Sequence, residues 1–203
     1  MTTKRSLKSE ELERLKFDLD LSLNQGIDLK NRTIRITGHI GDPGGFNSEE
    51  EYFDYNHLEV ALTQLESQSP TSPITIKINS FGGSVYEALA IVGRLKSSPC
   101  QIITEGYGAI MSAATLILMC ADVRKISRYA VSMFHSAQYG LQGDHENIKE
   151  QVIQAEKEEK LWANYYAEFS NRSPAWWLKR IKKTEYYPTA DEMLQLGAVD
   201  EII

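Results

Sequence analysis

Short apolar alternations and longer amphipathic stretches follow one another along most of this chain. Thr33-Ile-Arg-Ile-Thr-Gly38 and Ile74-Thr-Ile-Lys-Ile78 repeat with period two, the pattern of strands with one buried face. Leu58, Ala61, Leu62 and Leu65 recur at helical spacing, and acidic Glu49-Glu-Glu51 predicts the opening of that helix after the turn signal Gly41-Asp-Pro-Gly-Gly45. A helix from Val85 to Leu95, a strand at Gln101-Ile-Ile-Thr104 and an apolar helix within Ala109 to Ala121 come next. Val123 to Ile126 and Ala130 to His135 read as short strands. A long charged helix spans about His145 to Phe169, a helix carries Trp176-Trp177, and the tail is a helix from Thr189 to Leu196, Gly197 as its cap and a terminal strand. Strands alternating with helices predict an α/β fold of βαβ units around a mostly parallel sheet.

The 203 residues suit one domain, and 42 % apolar with 25 % charged residues fits a folded protein rather than a disordered one. A net charge of -6 argues against nucleic acid, which needs a basic surface. Lys179, Arg180, Lys182 and Lys183 form the tightest basic group and read as a solvated helix face. No apolar stretch follows the basic N-terminal residues as in a secretory leader, and the Ala109–Ala121 run is too short to span a bilayer. Cys100 and Cys120 read as buried thiols in a reducing compartment. The expectation is a cytoplasmic protein without membrane partners. His57 and His145 read as solvated side chains rather than metal ligands, and no organic cofactor is expected. Trp162, Tyr165, Tyr166 and Phe169 line one helix face, as core or subunit contact.

Two glycine-bearing strand-to-helix junctions carry the candidate chemistry. In Ile78-Asn-Ser-Phe-Gly-Gly-Ser-Val85 paired glycines let backbone amides approach a ligand, or simply make a tight turn. In Gly106-Tyr-Gly-Ala-Ile-Met-Ser-Ala-Ala-Thr115 a serine opens an apolar helix, as a nucleophile or as a plain N-cap. Met133-Phe-His135 supplies a lone histidine, as a base or as a structural residue. Taken singly, each bland reading is the better one.

In this order and spacing, the three motifs resemble the Clp protease proteolytic subunit family and the related head-maturation proteases of tailed phages, from about Thr33 to the C-terminus. The resemblance implies a crotonase-like spiral of βαβ units with a protruding handle helix. Residues 1–31 form an N-terminal segment, 32–203 the peptidase domain, and about 136–170 the handle. It implies Ser112 as nucleophile and His135 as base, with the amides of Gly83 and Ala113 as the oxyanion hole. Alignment on an Ala-Ser-Met element would favour Ile110, but the count to the small-residue turn at Ala121-Asp122 lands on Ser112. The family's acid is an aspartate in Asp-x-aromatic-x-Ser/Thr-Ala; Glu185 matches it in Glu185-Tyr-Tyr-Pro-Thr-Ala190, with Asp191 and Asp200 as reserves.

Implied partners are polypeptide substrates, further copies in heptameric rings doubled by the handle into a tetradecamer, and a Clp-type AAA+ ATPase. The implied location is the cytoplasm, that of a host for a phage-encoded chain. Residues 1–31, the insertion Asp42 to Asp54 and Phe81 in place of the usual proline depart from the family pattern. A catalytically weak ring or scaffold subunit and a crotonase-type acyl-CoA enzyme are the competing readings.

Overall fold

The structure is a computed structural model that describes residues 9–24, 26–42, 51–138, 140–182 and 184–203. The chain begins with α1 (Ser9–Asn24), β1 (Ile27–Asp28) and β2 (Thr33–Ile40), then β3 (Tyr52–Phe53), α2 (Tyr55–Gln68), β4 (Ile74–Gly83) and α3 (Val85–Lys96). It continues with β5 (Ile102–Met111), α4 (Ala113–Met119), β6 (Val123–Ile126), β7 (Val131–Met133), α5 (His145–Glu168), α6 (Pro174–Ile181), α7 (Ala190–Gln195) and β8 (Glu201–Ile202).

Among the described residues the strands form one sheet in the order β1-β2-β4-β5-β6-β8, with β3 beside β2 and β7 beside β5. The β1–β2 pairing is antiparallel and the other strand pairings are parallel. This is the mixed α/β fold with a parallel sheet that the alternation of elements predicts. Ile74, Ile76 and Ile78 of β4 are buried while the alternating Lys77 and Asn79 are exposed, so helices cover one face of this strand. Leu58, Ala61, Leu62 and Leu65 of α2 are fully buried in the same core, each leucine worth about 1.5–3 kcal/mol in transfer from water. Leu21 and Ile27, from the segment 1–31, join the same core.

Several boundaries differ from those the residue pattern predicts. Residues 43–50 lie outside the described part, but Glu51 is not helical, and its carbonyl accepts the His39 amide at 2.8 Å. The helix opens instead at Tyr55, capped by Asp54. His57 closes that capping box, with Nδ1 2.8 Å from the Asp54 carboxylate, so it is a structural residue rather than a freely solvated one. Lys179, Arg180 and Lys182 are exposed as expected, and Lys183 lies outside the described residues.

β4 and β5 both run further than the apolar alternation does, through their glycine motifs. The cause is the neighbouring strand: β2 continues alongside β4 as far as Gly83, and β7 takes over from β6 beside the last third of β5. Ile103–Gly106 pair with β6, whereas Ala109–Met111 pair with β7. The sheet therefore forks at Gly106-Tyr107-Gly108. Asn79 pins the fork by accepting the Ala109 amide on its side-chain oxygen at 2.9 Å, and a Cβ at Gly108 would come within 2.6 Å of that oxygen.

Only Trp162, Ala163 and Tyr166 of α5 are fully buried, all in its C-terminal third. The preceding turns project from the core, with Ile148, Val152, Ile153 and Leu161 exposed.

Candidate active site

The fork delivers two side chains to one place. Ser112 follows the last residue of β5 and precedes α4; its amide donates to the Met133 carbonyl of β7 at 2.8 Å. Its backbone lies at φ 52° and ψ -123°, a conformation that costs a residue with a side chain on the order of 1–3 kcal/mol and persists only where the surroundings impose it. Although Ser112 stands at the N-cap position of α4, its hydroxyl makes no capping hydrogen bond. It lies 2.6 Å from His135 Nε2 instead. The N-cap alternative for this serine is thereby excluded.

His135 lies two residues beyond β7, on a stretch fixed from both sides. Phe134 and Tyr186 exchange both backbone hydrogen bonds, at 2.9 and 2.8 Å, and the Ser136 amide and hydroxyl both donate to the Ile181 carbonyl. Below, Phe134 packs on Tyr166, Trp177 and Tyr186 with ring centroids 4.9–6.2 Å apart. Partial burial holds the His135 imidazole below its ordinary pKa, opposed by the field of the Glu185 carboxylate. A neutral ring accepting the Ser112 proton at Nε2 carries its own proton on Nδ1.

The glycine loop of β4 approaches from the other side. Gly82 has φ 99°, and a Cβ there would stand 2.7 Å from the Met111 carbonyl oxygen, 2.8 Å from Ser112 Cβ and 3.1 Å from the Ala113 amide nitrogen. Only a bare backbone fits against the serine turn. Buried Ser80 secures the loop by donating to the Gly38 carbonyl at 2.7 Å and accepting the Gly82 amide at 3.0 Å. Gly83 follows Gly82 directly, and Ala113 is the first residue of α4.

The three acids singled out in the sequence are placed differently. The Phe134–Tyr186 antiparallel bridge sets Glu185 directly across from His135, since neighbours step in opposite directions on such a pair. The Glu185 carboxylate nevertheless accepts from the Tyr187 hydroxyl at 2.6 Å and is solvent-exposed. Among the described residues no carboxylate bonds to the His135 ring. Asp191 pairs with Arg128 at 3.1 Å and Asp200 with Arg124 at 2.6 Å, on the sheet edge and tail. Ile110 is fully buried.

The space directly over the pair, lined by Val85, Ser112, Ala113, His135, Ala137, Trp162 and Tyr166, holds about 10 Å³. It adjoins an open cleft of about 510 Å³ between Gly83–Tyr86 and the residues Ala137, Gln138, Gly140 and Leu141, floored by α5 side chains. Among the described residues no group of three or more His, Cys, Asp or Glu side chains is arranged to hold a metal, and no helix is long and apolar enough to cross a membrane. Cys100 and Cys120 are buried, and burial pushes the Cys120 thiol up to about 12. His145 is exposed beside Glu146.

Tyr166 is buried in the core, in keeping with its reading as core or subunit contact, but residue-by-residue reading missed its hydroxyl contact and the roles of Ser80 and Thr115. Thr115 donates its hydroxyl proton to the Ser112 carbonyl at 2.6 Å and meets the Tyr166 hydroxyl at 3.0 Å. The available signal was a hydroxyl residue inside an otherwise apolar helix.

A hydroxyl against an imidazole, beside a bare glycine backbone, is the equipment of base-assisted nucleophilic attack. Comparison with known proteins agrees with that chemistry. The chain is 30 % identical over 152 residues to ATP-dependent Clp protease proteolytic subunit 1 of Corynebacterium jeikeium, covering 73 % of this chain and 79 % of that protein. It is 31 % identical to the ATP-dependent Clp protease proteolytic subunit of Bacteroides thetaiotaomicron (73 % and 68 %) and 27 % identical to that of Deinococcus radiodurans (73 % and 73 %). The sequence profile of the Clp protease family matches residues 46–203, which include the glycine loop, the serine turn and the histidine, and the chain belongs to that family.

Proposed function

We propose that this chain is a serine endopeptidase in which Ser112 attacks a peptide carbonyl while His135 takes its proton. The single observation that carries this reading is the 2.6 Å contact between Ser112 Oγ and His135 Nε2, beside a glycine loop that tolerates no side chain. The His135 cation then returns its proton to the leaving amine, and water repeats the sequence to release the acyl group. The amides of Gly83 and Ala113 stabilise the oxyanion, each worth about 3–4 kcal/mol in the transition state. Glu185 is the acid: a side-chain rotation from Tyr187 toward the residue opposite it on the bridge would bring its carboxylate to the Nδ1 side of His135. The departure from aspartate adds one methylene to that reach. The reaction proceeds without a metal or organic cofactor.

Family membership and the exposed apolar residues of α5 support self-association through a handle, and the relatives' names support an assembly with a Clp-type AAA+ ATPase. Heptameric rings, doubled into a tetradecamer in the cytoplasm, are the form in which we expect the chain to act. The boundary between an N-terminal segment 1–31 and a peptidase domain 32–203 belongs to the same reading.

The test is hydrolysis of fluorogenic peptides by the assembled protein, with and without a Clp ATPase. Turnover that disappears in Ser112→Ala supports the reading; turnover that survives it removes Ser112. The bond between Glu185 and Tyr187 favours a second reading, a ring subunit of low activity. Well-formed rings that hydrolyse no peptide even with the ATPase would select it.

A further inference from the structure

Ser112 is held in an unfavourable backbone conformation, and both of its peptide groups are tied down. The amide is fixed by Met133. The carbonyl accepts twice from Thr115, from its amide at 3.0 Å and its hydroxyl at 2.6 Å. A hydroxyl has one proton to give, and the shorter contact takes it. The 3.0 Å contact between Thr115 Oγ1 and Tyr166 is therefore filled by the Tyr166 proton, and the chain of donation runs from Tyr166 to Thr115 to the Ser112 carbonyl.

This direction has a consequence for the reaction. The Ser112 carbonyl and the Ala113 amide belong to one planar trans peptide, so a carbonyl aimed at Thr115 points the Ala113 N–H the opposite way. Thr115 and Tyr166 are fully buried, so water cannot substitute for either hydroxyl. Tyr166 is itself anchored: its carbonyl accepts from Ser170, whose hydroxyl accepts the Trp177 indole N–H at 2.8 Å. Burial raises the Tyr166 phenol to about 12, which keeps it a proton donor throughout the neutral range.

We propose that Thr115 and Tyr166 are positioning residues that set the orientation of the 112–113 peptide, and that they tie the base of α5 to the nucleophile turn. The proposal rests on the peptidase reading for its effect on rate, but not for its effect on structure. Tyr166→Phe and Thr115→Val each remove a hydroxyl with little change in shape. A buried neutral hydrogen bond of about 1 kcal/mol, acting on the transition state, corresponds to a loss of roughly fivefold.

The experiment compares fluorophosphonate labelling of Ser112, kcat and KM for peptide hydrolysis, and the Ala113 amide resonance in protein labelled with 15N-alanine. Each variant is expected to label and turn over roughly five- to tenfold more slowly, with KM within twofold of the wild type and a shifted Ala113 resonance. The double variant is expected to be little worse than the more damaged single variant, because both act on one chain of bonds. Leu62→Val, which trims a buried side chain of α2, controls for general destabilisation and is expected to label normally. Wild-type labelling in Tyr166→Phe and Thr115→Val, or losses that multiply in the double variant, would overturn the proposal. A wild-type protein that never labels contradicts the peptidase reading instead, and the Ala113 resonance then decides alone: a shift supports the positioning role and an unchanged resonance overturns it.

Discussion

The Ser112 amide donates to the Met133 carbonyl at 2.8 Å, and this bond sets where the histidine lies. β5 and β7 are parallel with Met111 opposite Met133, so the chain leaves both strands at the same level of the sheet. The turn after β5 presents Ser112 at once; the stretch after β7 reaches His135 two residues later. A contact across 23 residues of sequence thus follows from strand register, and a one-residue slip between β5 and β7 would send either side chain to the wrong face.

Substituting Gly82 by alanine should disable the site while sparing the fold. The new Cβ would meet the Met111 carbonyl at 2.7 Å and Ser112 Cβ at 2.8 Å, on a backbone at φ 99°. The glycine loop must retreat from the serine turn. Loss of an aligned oxyanion donor predicts a fall in kcat of about 10²–10³-fold, with roughly 1–3 kcal/mol lost in denaturant unfolding. Steady-state kinetics and urea titration read the two effects separately.

The pH dependence follows from His135. Burial lowers its pKa in the fold below 6.5, so the neutral base persists into mildly acidic solution. The activity profile should rise with a midpoint below 6.5. Stability has the same sign: between the folded and unfolded pKa values the unfolded chain binds the extra proton, so this group's contribution is complete above about 6.5 and is lost as pH falls toward the folded value. Glu185→Gln removes the field that opposes the shift and should move the activity midpoint further to acid. A midpoint that moves to alkali would contradict the placement of Glu185 near the ring.

Arg32 joins the end of α2 to the loop before β4. Its guanidinium donates to the carbonyls of Leu65, Ser69, Ser72 and Pro73, closing off the helix C-terminus. Arg32→Ala should cost about 2–3 kcal/mol, from hydrogen bonds to a charged group that nothing else can make. Calorimetry would show the lower Tm, and the activity per folded molecule should be unchanged.

Ser132 offers the opposite case. Its hydroxyl is buried in β7 without a hydrogen-bond partner among the described residues. Ser132→Ala should be neutral or stabilise by up to about 1 kcal/mol, because it removes an uncompensated buried polar group. A clear loss in thermal unfolding would show that the hydroxyl has a partner.

Much of this architecture is legible in the residues because local pattern and tertiary context agree there. The alternations at Thr33 and Ile74 are strands, the Leu58–Leu65 face is buried, and the long charged helix begins at His145 behind its Asp144 cap. Pattern fails where a neighbour decides. Nothing in Gly106-Tyr-Gly108 signals that β5 continues, since the ladder to β7 supplies the reason. Glu49–Glu51 look like a helix opening, but the Glu51 backbone bonds beside β2 and Asp54 provides the cap. At the site, Ser112, His135 and the glycines are announced by motif. The Thr115–Tyr166 contact is not, because it joins two helices 51 residues apart and only the packed core shows it.

The account turns on Ser112 being the nucleophile that His135 activates. Peptide mass spectrometry after fluorophosphonate treatment tests this most directly, on the assembled wild-type protein and on His135→Ala. The prediction is a single adduct on the peptide containing Ser112, formed at least about 10³-fold more slowly without the imidazole. An adduct on another residue, or one on Ser112 that forms as fast without His135, would contradict it.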